Sequence, residues 1–337
     1  WRVNMKSAYE VECRAKEGKH INTIKEDLEA LVDKRLHWTL LTLPILGIVI
    51  FTILPLVFMI CMAFTSYSKV GDHLTIFHWV GLKNFSTVLG MGNSIGKTFW
   101  SVLGWTLIWA VLATFLNYIL GMILAIVINR KTTRIKGFWR FCFMLSAAIP
   151  QFVSLLLMRT MLKDNGLINN LLVQAGLISS PLPFLTNATW ARATVVIINL
   201  WVGIPFTMMQ VTGILQNIPG ELYEAARVDG AGPVTIFFKI TLPYMLFVTT
   251  PYLITTFTGN INNFNVIYLL TAGAPVPVGA TAGKTDLLVT WLYKLTVDLQ
   301  YFNVGAVVGI LTFVILAVVS LITYRNTGSY KNEEGFQ

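Results

Sequence analysis

The chain has little charge for its length, and that charge is unevenly distributed. Asp, Glu, Lys and Arg make up 12% of the 337 residues, about half the share of a typical soluble domain. Of the 25 basic and 16 acidic residues, 15 fall within positions 1–38. Since the rest are too few to cover a water-facing surface and 55% of all residues are hydrophobic, the composition predicts an integral membrane protein.

Cysteine is scarce as well, and motifs of catalysis are missing. Cys13, Cys61 and Cys142 lie far apart, which excludes a disulfide framework and a CxxC metal site. The sequence contains no HExxH, no GxSxG and no Asp/Glu pair within its hydrophobic stretches. We therefore predict no catalytic residue and no metal site, and we expect the chain not to be an enzyme. No short apolar segment with a small-residue cleavage site precedes the first long stretch, so we expect no cleavable signal.

Six apolar stretches are long enough to cross a membrane as helices, since a span needs about 20 residues. They lie near 39–64, 99–128, 141–160, 191–215, 244–270 and 304–324. None carries Asp, Glu, Lys, Arg or His away from its ends. Proton-coupled transporters and intramembrane enzymes need ionisable groups within the membrane, so the sequence argues against both. Kinks are expected at Pro55, Pro150, Pro205 and Pro251.

The net charge of +9 reflects membrane orientation rather than nucleic-acid binding, because the basic residues lie between apolar runs. The connections assigned to the cytoplasm hold nine Lys or Arg in 52 residues, against six in 97 for those assigned outside. The cytoplasmic set is 129–140, 216–242 and 325–337, and the outer set is 65–98, 161–190 and 271–303. Both termini are therefore expected in the cytoplasm.

Residues 1–38 differ in kind, with eight basic and seven acidic side chains. Apolar residues recur there at helical spacing, and Thr23 with Glu26 forms a capping-box pattern. The pattern predicts a helix on the cytoplasmic face of the membrane, with a solvated tail helix as the alternative. The apolar positions are Ile21, Ile24, Leu28, Leu31 and Val32. The sequence thus predicts an all-α membrane protein with an N-terminal segment, 1–38, a six-helix domain, 39–324, and a cytoplasmic tail, 325–337.

Two segments are similar to a phosphate-binding loop but do not complete it. Gly90–Thr98 reads GMGNSIGKT, and Gly279–Thr285 reads GATAGKT. Such a loop needs a glycine five positions before its Gly-Lys-Thr, and Met91 and Val278 occupy those positions. Both segments also lie in connections assigned outside the cell, where ATP is not available. We therefore expect no ATP binding by this chain.

The connection 216–242 is amphipathic and too polar to cross the membrane. Pro219 suits the first turn of a helix, where Glu221 and Glu224 complement the positive end of the helix dipole. Gly230 is expected to end that helix. The chain thus presents a short helix to the cytoplasm, which by structure alone is also consistent with an ordinary loop helix.

A fixed spacing of residues runs through this connection. Glu224-Ala225-Ala226 is followed after three residues by Gly230 and after nine more by Ile240-x-Leu242-Pro243. This resembles the signature loop of permease subunits in bacterial ATP-binding-cassette importers, whose coupling helix docks onto a separate ATPase subunit. The resemblance implies an all-helical permease core, with ATP and Mg bound by two copies of that ATPase. The implied ATPase-coupling residues are Glu221, Glu224, Ala225, Ala226, Asp229 and Gly230.

Three further segments indicate which group of importer permeases the chain resembles. Val80–Phe85 reads VGLKNF, Asn165–Asn169 reads NGLIN, and Thr281–Val289 reads TAGKTDLLV. With most of 191–320, they are similar to the larger permease subunit of maltose and maltodextrin importers. The resemblance implies no cofactor in this chain. It also implies a second homologous permease subunit, an extracytoplasmic sugar-binding protein and membrane lipid as partners, and no nucleic acid.

Two spans contain polar or helix-weakening residues in apolar surroundings. Gly203 and Pro205 weaken the fourth span near Phe206, whose ring could face a sugar, with a packed kink as the alternative. The fifth span carries several amides, and at 100° per residue Asn260 and Asn263 share one face. Amides suit sugar hydroxyls but also hold membrane helices together, and the residues alone do not separate these roles.

The resemblance favours sugar binding at these positions. It matches the sugar-contacting residues of maltose permeases to Val202, Gly203, Phe206, Gly259, Asn260 and Asn263. Both amides are retained, but Phe206 stands where a relative has tyrosine and Gly259 where it has phenylalanine. These departures leave the sugar and its chain length open.

The sequence therefore predicts a permease subunit that translocates malto-oligosaccharides across the bacterial cytoplasmic membrane by alternating access. A permease of the same architecture for another oligosaccharide or polyol is the nearest alternative. A secondary transporter is more remote, because it would not need the loop at 216–242 and would usually need charge within the membrane.

Overall fold

The computed structural model describes residues 9, 12–13, 15–18, 33, 36–70, 73–75, 77–130 and 132–325. The apolar positions of the predicted N-terminal helix, within 21–32, and the tail beyond residue 325 lie outside the described residues. The chain divides into two compact units, Trp1–Cys61 and Met62–Gln337. The domain boundaries at 38 and 324 stay predictions.

The first unit holds most of the first predicted span. Helix α1, Leu36–Ile48, passes through a π-helical turn, Val49–Ile53, into α2, Leu54–Ala63. The run from residue 40 onwards has a mean hydropathy of 2.9 in its most apolar window. Pro55 follows the turn, and its ring nitrogen has no hydrogen to donate, so the helix widens just before it.

In the described part of the second unit, the regular structure is helical apart from one antiparallel strand pair, β1, Lys69–Val70, and β2, His73–Leu74. Its helices are α3, Lys83–Leu89; α4, Ser94–Asn129; α5, Lys136–Ala148; α6, Gln151–Met161; α7, Leu167–Gln174; α8, Ala188–Asn217; α9, Gly220–Val228; α10, Pro233–Ile236; α11, Leu242–Ile261; α12, Phe264–Leu270; α13, Leu288–Tyr293; and α14, Phe302–Arg325. Two π-helical turns, Phe237–Thr241 and Lys294–Asp298, follow α10 and α13. The predicted all-α class is confirmed.

Among the described residues, five helical runs are long and apolar enough to cross a membrane, with mean hydropathies from 1.3 to 2.9. They are Leu40–Ala63, Ser94–Asn129, Ala188–Asn217, Pro233–Leu270 and Phe302–Arg325. Helices α5 and α6 provide a sixth if the pair forms one span. Each of the six predicted stretches overlaps one of these helical runs or this pair.

The third predicted span is not one straight helix, because α5 and α6 are bent by 82° around residues 149–150. Pro150 explains the break, since it offers no N–H to the helix and drives Ile149 into an extended conformation, with φ −79° and ψ 130°. The carbonyl of Pro150 then accepts from the Val153 N–H at 3.0 Å, which starts α6. The break exposes helix ends within the bundle.

The fifth predicted span is also interrupted, at Asn262, where α11 and α12 meet as separate helices. The Oδ1 of Asn263 accepts from the Val266 N–H at 3.2 Å and caps α12. The prediction that Asn260 and Asn263 share one face of a continuous helix is therefore wrong. Amide side chains compete with the helix for backbone hydrogen bonds, and here they end it.

Two apolar clusters hold α4 and α8 together at different levels. One includes Trp109, Leu155 and Ile267, all fully buried, and the other is built around Tyr118 and Met208. In a membrane, tight packing and interhelical hydrogen bonds hold such helices, because lipid is as apolar as the side chains. Between the clusters, α4 and α8 carry polar residues instead.

Candidate functional site

A cavity of about 480 Å³ lies at this polar level, where α4, α8 and α11 meet the break between α5 and α6. None of its described lining residues is charged. The amides are Asn117, Gln151, Asn199 and Asn260, and the hydroxyl-bearing residues are Ser146, Ser154, Thr207, Tyr252 and Thr256. The volume falls in the range of small-ligand sites, and the lining suits a neutral polar ligand.

Helix α8 contributes one wall from the middle of its length. Gly203 is the sixteenth of its 30 residues, so it lies roughly 20 Å from either end at 1.5 Å per residue. Asn199 lies about one turn before it and Phe206 about one turn after it. The ring of Phe206 is 53% exposed. An aromatic face and an amide thus border the cavity together, near the centre of a membrane span.

The break between α5 and α6 forms a second wall. The end of a helix leaves carbonyls without intrahelical partners, and its start leaves N–H groups without them. Residues 146–148, at the end of α5, and Gln151, at the start of α6, border the cavity. Backbone groups at broken helices can bind a neutral ligand without the cost of a buried charge.

Asn260 lines the cavity and also forms hydrogen bonds that join two helices. Its Nδ2 donates to the Oγ1 of Thr114 at 2.9 Å, and its backbone carbonyl accepts from the Nε1 of Trp109 at 3.0 Å. Both partners lie on α4, so Asn260 fastens the end of α11 to that helix. Neither bond uses its side-chain oxygen.

The structure brings together four of the six predicted sugar contacts. Val202, Gly203, Phe206 and Asn260 line the cavity. Gly259 and Asn263 are not among its described lining residues, and the side chain of Asn263 caps α12 instead. The sequence reasoning missed Asn117, Asn199 and Gln151. Each is an amide within a predicted span, the same signal that marks Asn260.

A second cavity, of about 380 Å³, lies where the two incomplete phosphate-binding loops come together. One lysine from each segment, Lys97 and Lys284, lines it together with Arg192. The first segment connects α3 to α4, without the strand-loop-helix context of a phosphate-binding loop. The Oδ1 of Asn93 already accepts from the Gly96 N–H there, at 2.7 Å. The basic side chains in its lining distinguish this second cavity from the uncharged cavity between the spans.

The predicted cytoplasmic helix is α9. It begins after Pro219 and ends before Asp229, and Gly230 continues in the left-handed conformation, with φ 77°. Glycine adopts that conformation without steric cost, so the prediction that Gly230 ends the helix is confirmed.

The predicted coupling residues lie on an open surface of α9 and the turn after it. Glu221, Glu224, Ala225, Asp229 and Gly230 are exposed, and Ala226 is half-buried. Val228 beside them is 87% exposed. The hydroxyl of Tyr223 lies 3.2 Å from the Oγ1 of Thr241, which joins α9 to the π-helical turn before α11. The outer surface of α9 thus carries carboxylates and small side chains. Its inner side is connected by a hydrogen bond to the helical run that contains α11.

Comparison with known proteins identifies similar chains. Residues 117–327 match the family described as binding-protein-dependent transport system inner membrane component. The galactooligosaccharides transport system permease protein GanP of Bacillus subtilis is 36% identical over 335 residues, covering 98% of this chain and 79% of that protein. The maltodextrin transport system permease protein MdxF of the same organism is 36% identical over 332 residues, covering 94% and 75%.

A solved structure shows the same fold. It is a bacterial alginate ABC transporter in complex with alginate pentasaccharide-bound periplasmic protein, and one of its chains superposes with a TM-score of 0.69. The match covers 88% of this chain and 94% of that chain, at 23% sequence identity. This likeness concerns the fold alone.

Proposed function

Because the chain belongs to the binding-protein-dependent transport system inner membrane components, we propose that it forms part of the pathway by which malto-oligosaccharides or related neutral oligosaccharides enter the cell. It is the membrane-embedded permease of a sugar ABC importer and a transport subunit rather than an enzyme. The resemblance drawn from the loop after α8 is thereby confirmed.

The uncharged cavity at the centre of the spans is the observation that carries the proposed substrate class. A neutral sugar presents hydroxyl groups, which donate and accept, and amides supply both partners. An acidic sugar would need a cation to offset the loss of water, and the described lining contains none. We assign sugar contacts to Val202, Gly203, Phe206 and Asn260. Gly259 and Asn263 stay predicted contacts that require the region around Asn262 to rearrange.

Galacto-oligosaccharides are the second candidate substrate. GanP, whose name gives that substrate, is as similar to this chain as the maltodextrin permease MdxF. Both sugars are neutral and rich in hydroxyls, so the cavity chemistry admits either. A secondary transporter is not favoured, since none of the described residues that line the cavity is charged, as proton coupling would usually require, and α9 would have no role.

Transport by alternating access needs a partner that supplies energy, and α9 is the surface that fits one. We propose that two copies of an ATPase subunit, which bind ATP and Mg, dock on α9 through Glu224 and its neighbours. The hydrogen bond between Tyr223 and Thr241 would carry that motion towards α11, whose far end holds Asn260 at the cavity. A second permease subunit and an extracytoplasmic binding protein complete the proposed assembly.

Asn260→Ala is expected to lower maltotriose uptake about tenfold in proteoliposomes containing the complete transporter, because the cavity loses a hydrogen-bonding amide. Thr114→Val is the matched control, since it removes the bond that fastens Asn260 to α4 but keeps the cavity amide.

Uptake of maltotriose and of a galactotriose, measured side by side, decides between the two sugars. Equal losses in both variants would show that Asn260 only joins helices. No uptake of either sugar by the wild type would refute the proposed function.

The orientation of the chain is also a proposal, with both termini in the cytoplasm. In a variant lacking the three native cysteines, Thr132→Cys should resist a membrane-impermeant thiol reagent in intact cells, while Ser179→Cys should react. Position 132 lies in the basic loop 129–140, and loops rich in Lys and Arg are retained on the cytoplasmic side, so the reagent should not reach it. Both positions are exposed, so both should react once the cells are permeabilised. Labelling of position 132 from outside would reverse the orientation.

A further inference from the structure

Asn117 on α4 lies in the cavity wall, where its side chain makes one hydrogen bond to the described residues. The residue is 8% exposed, and its Nδ2 donates to the carbonyl of Ala113, one turn earlier in the same helix, at 2.7 Å. Its Oδ1 is buried and has no hydrogen-bond partner among the described residues. A buried acceptor without a partner is unfavourable and needs an explanation.

The amide of Asn117 packs against Gly203 at the edge of the cavity. A Cβ atom placed at Gly203 would lie 2.7 Å from the Oδ1 and 2.8 Å from the Nδ2 of Asn117, so the side chain fills the space that Gly203 leaves on α8. Both residues line the uncharged cavity. The cavity therefore provides free volume next to the amide.

We propose that Asn117 is a further sugar-contacting residue, which turns its side-chain carbonyl into the cavity and accepts a hydrogen bond from a sugar hydroxyl. The movement sacrifices only the bond to Ala113, whose carbonyl also serves the helix, because the oxygen has no bond to lose. The inference rests on the proposed function and extends it. It adds α4 to the walls that recognise the substrate and favours ligands with a hydroxyl donor at that point.

Asn129, also on α4, provides a matched comparison. Its Nδ2 makes the same bond to a carbonyl one turn earlier, that of Ala125 at 2.7 Å, and a second bond to Thr212 on α8 at 3.1 Å. Its Oδ1 accepts from the guanidinium of Arg140 at 2.5 Å. The same residue type in the same helix is thus fully partnered away from the cavity and incompletely partnered beside it.

The two asparagines should respond oppositely to replacement by leucine, which has a similar size and no hydrogen-bonding group. Asn117→Leu is expected to raise the KM for maltotriose uptake about tenfold, because a sugar hydroxyl loses its acceptor. Its thermal unfolding temperature should not fall, because the change removes an unpartnered group. Asn129→Leu should lower the unfolding temperature, because Arg140 loses a partner, and should leave the KM unchanged. Both variants are measured in the complete transporter in proteoliposomes, and the unfolding temperatures in detergent.

Each outcome of this experiment supports or overturns either the role of Asn117 or the proposed function. A KM for Asn117→Leu equal to that of the wild type overturns the inference while the proposed function stands. A lower unfolding temperature with an unchanged KM would show that Asn117 only packs against Gly203. Failure of the wild type itself to take up maltotriose or a galactotriose would instead refute the proposed function.

Discussion

Replacing Glu224 with lysine is expected to stop ATP-driven uptake of sugar. Glu224 is exposed on α9, where the resemblance to importer permeases implies contact with a basic residue of the ATPase subunit. Reversing a charge at a contact that is buried on docking costs about 2–5 kcal/mol, which weakens binding about thirtyfold or more. Lysine and glutamate have similar helix propensities, so the effect should come from charge and not from unfolding of α9.

This expectation is checked by co-purification of the ATPase, by ATP hydrolysis and by uptake in the same preparation. Asp298→Lys is the matched control, since it reverses another exposed carboxylate in a connection assigned to the opposite side of the membrane. That variant should assemble and transport normally. If the Glu224→Lys complex co-purified fully and its hydrolysis still responded to sugar-loaded binding protein, Glu224 would have no coupling role.

Asp286→Leu is expected to destabilise the permease by about 3–5 kcal/mol, because it leaves a partly buried ammonium group unpaired. The carboxylate of Asp286 is fully buried, and its Oδ2 lies 2.6 Å from the Nζ of Lys294. The same oxygen accepts from the Gly283 N–H at 2.6 Å, and Oδ1 accepts from the Thr290 hydroxyl at 2.9 Å. These bonds tie the connection before α13 to that helix, so thermal unfolding of the detergent-solubilised protein should reveal the loss.

A double-mutant cycle with Lys294→Met separates the ion pair from other effects. The double variant should be less destabilised than the sum of the two single variants, since neither charge is left without its partner. Lys16→Met serves as the control, because it breaks the pair with Glu12, whose side chains are 65% or more exposed. Exposed pairs contribute about 0–1 kcal/mol, so that change should be close to neutral. An unchanged unfolding temperature for Asp286→Leu would contradict the expected role.

The spans show where prediction from sequence succeeded and where it stopped. Apolar length alone located all six stretches, since each segment must satisfy its backbone hydrogen bonds internally as a helix. The same reasoning treated 141–160 and 244–270 as continuous. Pro150 signalled the first break by its chemistry, but the angle of 82° depends on what each half packs against. The second break depends on the Asn263 side chain. An asparagine can either cap the start of a helix or project from the middle of one, and here it caps α12.

By itself, the sequence determined the membrane class, the family and the helix α9 between two spans. These are properties of composition or of short spacings, and they need no knowledge of distant contacts. Only the tertiary structure decided which amides share the cavity. Asn117 meets Gly203, and Asn260 meets Thr114, across separations of 86 and 146 residues that no local pattern encodes. The packing of α4 against α8 and α11 sets those pairs, because helix contacts depend on which faces meet and not on neighbours along the chain.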